Sequence, residues 1–367
     1  MPRFESKDIN PTQVPPDQRR GRGALSNEVG RFERFSRENF DDGWGVLPDL
    51  PSLRTEVRFE KIKKVITANT SPDLSFDRSF NPYRGCEHGC IYCFARPSHG
   101  YLGYSAGLDF ETKLLARPDA PERLVKALSS KSYTPKTLAI GTNTDPYQPI
   151  EKEHKIMRRA LEVLAEFKHP VAIVTKGVLV ERDIDILSQM ARDNLVRVGI
   201  SITSLDAGLS RRLEPRVPSP QRRLKMIERL AEAGIEVHIF TSPIIPGLTD
   251  SEVEKLLQAG SEAGAVGASW ALLRLPYEVS GLFQSWLAEH VPERAAKVMS
   301  RVREAHGGKD YDAAWGKRMR GEGVYASLIA QRWAVAAKRL GLVTKRDPMR
   351  CDLFHVPERK GDQLSLF

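Results

Sequence analysis

Five short β-branched runs recur at intervals along the middle of the chain. They are Thr137–Thr142, Val171–Lys176, Val196–Thr203, Val237–Pro243 and Ser269–Pro276. Between them lie segments with helical spacing of apolar residues: Ile156, Ala160, Leu161, Leu164 and Phe167; then Leu224, Ile227, Leu230 and Ala231; then Val253, Leu256 and Leu257. Strands separated by amphipathic helices read as βαβ units in a parallel sheet, with right-handed crossovers. The stretch Phe80–Tyr83 can supply a first strand, which makes six units. Six units form part of a barrel or an open doubly wound sheet, and periodicity does not choose between the two.

In parallel α/β sheets the working groups gather at the carboxyl ends of the strands. Here those ends carry the Gly85–Cys93 loop, Asn143 and Asp145, Lys176, Ser201 and Thr203, Ser242, and Arg274. The pattern predicts one active rim. Each of these residues also has a structural reading. Asp145 precedes Pro146 and can start a turn or cap a helix. Lys176 can be a solvated loop lysine and Ser201 a satisfied strand hydroxyl.

The chain has 4 cysteines, and Cys86, Cys90 and Cys93 fall within 8 residues, spaced C-x3-C-x2-C. That clustering reads as ligation rather than a disulfide framework. Three thiolates on a tight loop can hold three corners of a [4Fe–4S] cluster, and with no fourth cysteine nearby one iron is left open. The alternative is structural zinc with His88 or His99 as a fourth ligand. His88 sits between two of the thiols, which crowds a tetrahedral site.

The segment Asn81–Phe94 (NPYRGCEHGCIYCF), with Tyr92 before the last cysteine, resembles the radical S-adenosylmethionine superfamily. The likeness covers about residues 76–275. It is closer to the branch related to spore photoproduct lyase, through Gly141–Glu151 (GTNTDPYQPIE), Val174–Gly177 (VTKG) and Leu213–Leu224 (LEPRVPSPQRRL). The resemblance implies a partial (β/α)6 barrel and a [4Fe–4S] cluster on Cys86, Cys90 and Cys93. It also implies S-adenosylmethionine chelated to the open iron and cleaved to a 5′-deoxyadenosyl radical. By position, Tyr92 is expected near the adenine, Asn143 and Asp145 near the methionyl amino group, and Lys176 and Ser201 at the carboxylate or ribose. An electron donor such as flavodoxin or ferredoxin is implied as a partner. The repair lyase also carries a cysteine hydrogen donor near its substrate. No cysteine lies between Cys93 and Cys351 here, so Cys351 would have to fold back over the rim to serve. Tyr83, Tyr101 and Tyr104 are alternative relays, and Glu214 and Arg216, flanking Pro215, read as a loop ion pair.

The flanks have their own character. Residues 1–60 contain Pro15-Pro16 and the basic run Arg19–Gly23, and they read as a poorly ordered basic extension. Residues 276–350 read as a helical region, with Leu282, Phe283, Trp286 and Leu287 on one face and Leu328, Ile329, Trp333, Ala336, Ala337 and Leu340 on another. The net charge is +9, and residues 294–350 alone contain 14 Lys/Arg against 5 Asp/Glu. Such clustering suits a phosphate backbone. Residues 351–367 read as a flexible tail. Its end, Gln363, Leu364, Ser365, Leu366 and Phe367, resembles the bacterial motif that binds the DNA polymerase sliding clamp, with Leu366 and Phe367 as pocket anchors. No apolar run approaches the roughly 18 residues of a membrane span, and the N-terminus has no apolar signal core, so a cytoplasmic protein is expected. These signals point to a radical enzyme acting on damaged or modified DNA. RNA or protein modification, or a non-catalytic iron–sulfur module, are the competing expectations.

Overall fold

The computed structural model describes residues 13–32, 52–345 and 347–358. Ten strands occur along them: β1 (Glu56–Phe59), β2 (Ile66–Ala68), β3 (Arg78–Phe80), β4 (Tyr83–Arg84), β5 (Lys113–Ala116), β6 (Leu138–Ile140), β7 (Val171–Thr175), β8 (Val196–Ser201), β9 (Glu236–Ile244) and β10 (Gly267–Leu272). Seven form the main sheet in the order β10-β9-β8-β7-β6-β3-β2. All its neighbours are parallel except β2, which runs antiparallel on the outside of β3.

That order decides what periodicity left open. A doubly wound sheet reverses its strand order at a switch point. Here β3, β6, β7, β8, β9 and β10 follow one another in chain order, so right-handed crossovers place every helix on the same face. The result is a partial (β/α)6 barrel, helices outside. Its main core lies between the strands and that helical layer. Phe80, Ile140, Ile173, Val198 and Ile239 meet Leu124, Leu161, Leu187, Ile227 and Leu257, all essentially buried. Each such side chain contributes roughly 1.5–3 kcal/mol of burial free energy.

The strand edges differ from expectation for local reasons. The expected first strand, Phe80–Tyr83, is split. Phe80 ends β3, Asn81-Pro82 turn the chain, and Tyr83 begins β4 in a separate three-stranded sheet ordered β1-β5-β4. Gly141, at φ 87°, turns the chain after Ile140 and ends β6 early.

The edge of β10 is covered rather than exposed, as open edges invite aggregation. Leu272 donates its N–H to the carbonyl of Met319 at 2.9 Å, and Ala268 donates to that of Val343 at 3.0 Å. The helix Gly323–Arg339 packs beside this edge, where the Trp333 indole donates to Thr241 Oγ1 at 2.9 Å. The preceding helices are Glu278–His290 and Pro292–Ala305.

Both flanks are more structured than composition suggests. Within the stretch expected to be a poorly ordered extension, residues 13–32 pack on the barrel, with Arg19, Arg22, Ala24, Leu25 and Ser26 buried. Composition misses this because Arg22 is satisfied far along the chain, by the carbonyls of Glu111 at 2.9 Å and Leu53 at 3.0 Å. At the other end, residues 351–358 dock by Phe354, whose ring lies 5.6 Å from Tyr133 and 5.7 Å from His169. The tail residues Gln363, Leu364, Leu366 and Phe367 lie outside the described residues. Among the described residues no helix is long and apolar enough to cross a membrane.

Candidate active site

The loop carrying the three thiols is held from four sides. Its start is fixed by Thr144 Oγ1 and Gln148 Nε2, which donate to the Gly85 carbonyl at 2.6 and 3.2 Å, while Gln148 Oε1 accepts from the Glu87 N–H at 2.9 Å. Cys86 donates its N–H to the Phe110 carbonyl and Ile91 to that of Leu213, both at 3.0 Å. The fully buried Arg96 reads the loop from inside, donating to the carbonyls of Cys90 (3.0 Å), Gly89 (3.1 Å), Ala106 (3.1 Å) and Gly107 (2.9 Å). Glu111, also fully buried, balances that charge at 2.6 Å.

Glu111 then ties in the N-terminal strap. Its two oxygens accept the N–H groups of Gly23 and Ala24, both at 2.9 Å. A Cβ on Gly23 would stand 1.8 Å from the Gly89 carbonyl oxygen, so only glycine lets the strap sit on the cysteine loop. The basic run that resembles a solvated tail is therefore part of the housing of the site.

Cys86, Cys90 and Cys93 are free thiols, the first two buried and the third half-buried. Burial pushes all three upward in pKa; neighbouring anions add to it at two of them, Asp145 at Cys86 and Glu214 at Cys90, while Arg96 opposes it at Cys93. Three thiols on one short loop that resist ionising suit a cationic group able to hold them as thiolates. Among the described residues no three His, Cys, Asp or Glu side chains converge on one ion. A cubane does not require that, since its three thiolates each take a different iron. The two histidines considered as zinc ligands are engaged elsewhere: His99 Nε2 lies 2.8 Å from the Lys113 carbonyl, and His88 Nδ1 lies 3.3 Å from Asp145 Oδ2. The donor set fits a three-thiolate iron–sulfur cluster.

Beside the loop, the ends of β7, β8 and β9 build a polar rim. Lys176 Nζ donates to Ser201 Oγ at 2.7 Å and pairs with Glu214 Oε1 at 2.9 Å. Ser201 donates to the Ser242 carbonyl at 2.9 Å. Tyr92 lies under the lysine, its ring centroid 5.8 Å from Nζ, and its hydroxyl bonds to Glu214 and Thr203. Arg223, fully buried, takes Glu214 Oε2 at 2.8 Å and the Ser201 carbonyl at 2.7 Å. Burial alone would raise the Glu214 carboxyl, but Arg223 and Lys176 beside it outweigh burial and hold it well below the usual carboxylate range.

The expected residues fall into three groups. Tyr92, Lys176 and Ser201 meet on the rim. Asp145 is next to them, but its oxygens are already taken by Thr175 Oγ1 (2.6 Å), the N–H of Tyr147 (2.9 Å) and the N–H of Lys176 (2.8 Å), so it orders the strand ends. Exposed Asn143 is anchored through its N–H to Asn81 Oδ1 at 3.1 Å. Tyr83 is buried with its hydroxyl on Glu151, Tyr104 accepts from Arg58 at 3.1 Å, and exposed Tyr101 stacks on Phe32. Arg216 pairs not with Glu214 but with Glu87, at 3.0 Å.

Cys351 is a correction. It does not fold back over the rim. The residue before it donates its N–H to the Asn194 carbonyl, which precedes β8, and Phe354 and His355 pack on Phe167 and His169, which precede β7. Cys351 is therefore placed at the amino ends of the strands, opposite the three thiols. The roles of Arg96, Glu111, Arg223 and the Gly23 strap carry no signal in residue spacing, since each closes contacts between separate loops, from 6 residues apart for Arg96 and Cys90 to 88 for Gly23 and Glu111.

A one-way partial barrel with three loop thiols after its first strand, and a cation and hydroxyls on later strand ends, defines a radical S-adenosylmethionine site. Residues 80–259 match the Radical SAM superfamily, and the chain belongs to it. It is 38% identical over 235 residues to an uncharacterised protein of Mycobacterium tuberculosis, covering 64% of this chain and 68% of that one. It is 26% identical over 204 residues to a radical SAM Nα-GlyT isomerase of Pseudomonas phage M6, covering 52% and 40%. A solved spore photoproduct lyase variant shares the fold at TM-score 0.56 and 16% identity, over 78% of this chain and 80% of that one. Spore photoproduct lyase complexed with dinucleoside spore photoproduct aligns at TM-score 0.53 and 15% identity, over 77% and 78%.

Proposed function

We propose that this chain is a radical S-adenosylmethionine enzyme that acts on a damaged or modified base in DNA, by a lyase-like reaction. The observation that carries the reading is the junction of the three-thiol loop with the Lys176–Ser201–Tyr92–Glu214 rim. Cys86, Cys90 and Cys93 would hold the [4Fe–4S] cluster. When bound, that cluster supplies the electron that cleaves S-adenosylmethionine to a 5′-deoxyadenosyl radical. The residues of the chain bind and orient. Lys176 offers a cation for the carboxylate of the cofactor and Ser201 a hydroxyl, with Tyr92 as the flat neighbour for its adenine. Glu214, itself anchored by Arg223, keeps Lys176 aimed. Arg96, Glu111 and the Gly23 strap seal the loop from water.

The DNA part of the reading is supported by the basic surplus of residues 294–350, by the lyase-like fold, and by the terminal residues Gln363, Leu364, Leu366 and Phe367, read as a sliding-clamp peptide. Tethering by such a peptide would raise the local concentration of enzyme at DNA. The test is 5′-deoxyadenosine formation by the cluster-loaded, anaerobically reduced protein, with DNA, RNA or peptides. The expected result is stimulation by DNA, with label from the base exchanged into 5′-deoxyadenosine. Exchange only from peptide or small-molecule substrates overturns it. A pull-down of the clamp by the full chain, lost on deleting Gln363–Phe367, tests the partner.

A further inference from the structure

Most arginines around the rim are paired: Arg223 with Glu214, Arg216 with Glu87, Arg222 with Glu181, and Arg318 with Asp73 at 2.6 Å. Arg274 and Arg320 stand apart from that pattern. Among the described residues neither guanidinium has a carboxylate within ion-pair distance or a hydrogen-bond acceptor, and Asp73, which acts on Arg274 through space, is itself paired with Arg318. Each is laid instead on an aromatic face. The Arg274 guanidinium carbon is 3.9 Å from the ring centroid of Phe94, the residue after Cys93. That of Arg320 is 4.3 Å from the ring centroid of Trp270 on β10. The backbone bond between Leu272 and Met319 brings the two arginines to the same edge of β10. Burial is the largest influence on Arg274 and disfavours its cationic form, as does the positive charge of Arg318, while Tyr311, Cys93 and Asp73 act in the opposite direction.

Two guanidiniums held over rings, with no acceptor among the described residues, keep their forked N–H groups available to a ligand. That is the geometry that grips an oxyanion in a bidentate way. Arg274 is half-buried, and an unpaired, partly desolvated cation is costly until an anion arrives. Exposed aromatic faces accompany the two arginines: Phe94 is 44% exposed, and Trp315, on the loop that carries Arg320, is 63% exposed. Cations interleaved with exposed rings suit a nucleic-acid strand, which presents phosphates and base faces in alternation.

We propose that Arg274 and Arg320 form a seat for backbone phosphates of a nucleic-acid strand delivered to the rim, with Phe94 and Trp315 as stacking faces for its bases. The seat rests on the reading of the substrate as nucleic acid.

The test is the salt dependence of binding by the full, cluster-loaded chain to single-stranded DNA and RNA oligonucleotides. Neutralising two phosphate contacts should lower the slope of log K against log salt by about 1.4 for a single strand. R274Q/R320Q is expected to lose that amount. R274K/R320K keeps both charges and should retain most of it. R301Q, whose guanidinium is bound to Glu304, is the control expected to leave the slope nearly intact. Thermal melts of every variant separate misfolding from lost contacts, and the lysine pair supplies a folded comparison. DNA binding by the wild type with an unchanged slope in R274Q/R320Q overturns the seat alone. Binding of RNA but not DNA, with the slope change, supports the seat and overturns the DNA reading. Failure of the wild type to bind either strand overturns both.

Discussion

Lys176 Nζ stands 2.9 Å from Glu214 Oε1, and that carboxylate has no solvent-exposed surface. Its other oxygen faces Arg223 at 2.8 Å. One buried anion therefore serves two cations and the Tyr92 hydroxyl. Removing it leaves those cations uncompensated. Glu214→Gln is expected to lower the unfolding free energy by roughly 3–5 kcal/mol, the usual cost of breaking a buried pair. Urea unfolding of the two proteins measures it. A loss below about 1 kcal/mol would mean that solvent reaches this network.

The same relationship predicts a ligand effect. With Glu214 and Ser201 holding it, Lys176 is oriented before any ligand arrives. Lys176→Met should weaken S-adenosylmethionine binding about 10–100-fold, as expected for one charge-assisted hydrogen bond. Equilibrium dialysis with the cluster-loaded protein checks this. Lys176→Arg should not restore full affinity, because a forked guanidinium does not replace a compact ammonium in so tight a setting.

The Arg96–Glu111 pair should control cluster loading. Arg96 ties four carbonyls around the thiol loop, and Glu111 passes the restraint to the strap. Arg96→Met is expected to reduce iron per chain after anaerobic reconstitution and to raise proteolysis within residues 85–95. Gly23→Ala is a milder version. Its methyl collides with the Gly89 carbonyl, so the strap must lift, at a cost of about 1–3 kcal/mol by analogy with overpacked cores. Limited proteolysis near Arg22 reads the lift directly.

Much of this architecture is legible from residue spacing. The runs at Val171, Val196 and Val237 announce their strands because β-branched residues packed on both faces leave little else for the chain to do. The three thiols announce ligation because they fall within 8 residues of a chain that has 4 cysteines, and the resemblance of their segment points that ligation to a cluster. Lys176 and Ser201 follow from the rule that strand ends carry function. What spacing does not carry is pairing at long range. Arg96 finds Glu111 15 positions on, and Glu111 finds Gly23 88 positions back. Glu214 looks like the partner of Arg216, two residues away, yet its cations are Lys176 and Arg223. Such choices are settled by burial, which composition averages away.

The placement of Cys351 yields a prediction against the lyase analogy. It sits at the amino ends of the strands, with its thiol 3.8 Å from the Met349 carbonyl. A group there cannot deliver a hydrogen atom to a substrate at the opposite rim. Cys351→Ala should therefore leave 5′-deoxyadenosine formation, and any product distribution, within about twofold of wild type. A fall of tenfold, equivalent to about 1.4 kcal/mol, in a variant with an unchanged melting curve would place this cysteine in the reaction.

The same end of the barrel contains a pH-sensitive contact. His169 is fully buried between Tyr133 and Phe354, with Nε2 2.7 Å from the Tyr133 hydroxyl. Burial pushes its imidazole down to about 4, and the positive charge of Arg78 acts in the same direction. In the unfolded chain the group titrates near 6.5. Above that value both states are neutral and His169 adds no pH dependence. As the pH falls from about 6.5 to 4, the unfolded state takes up the proton first, so stability declines across that window and levels off below it. The decline from this one residue should be on the order of 3 kcal/mol. His169→Gln keeps a polar side chain there but cannot titrate. Urea midpoints measured from pH 7 to pH 4 should fall less steeply in the variant, and parallel curves would show that the imidazole is solvated in the folded protein.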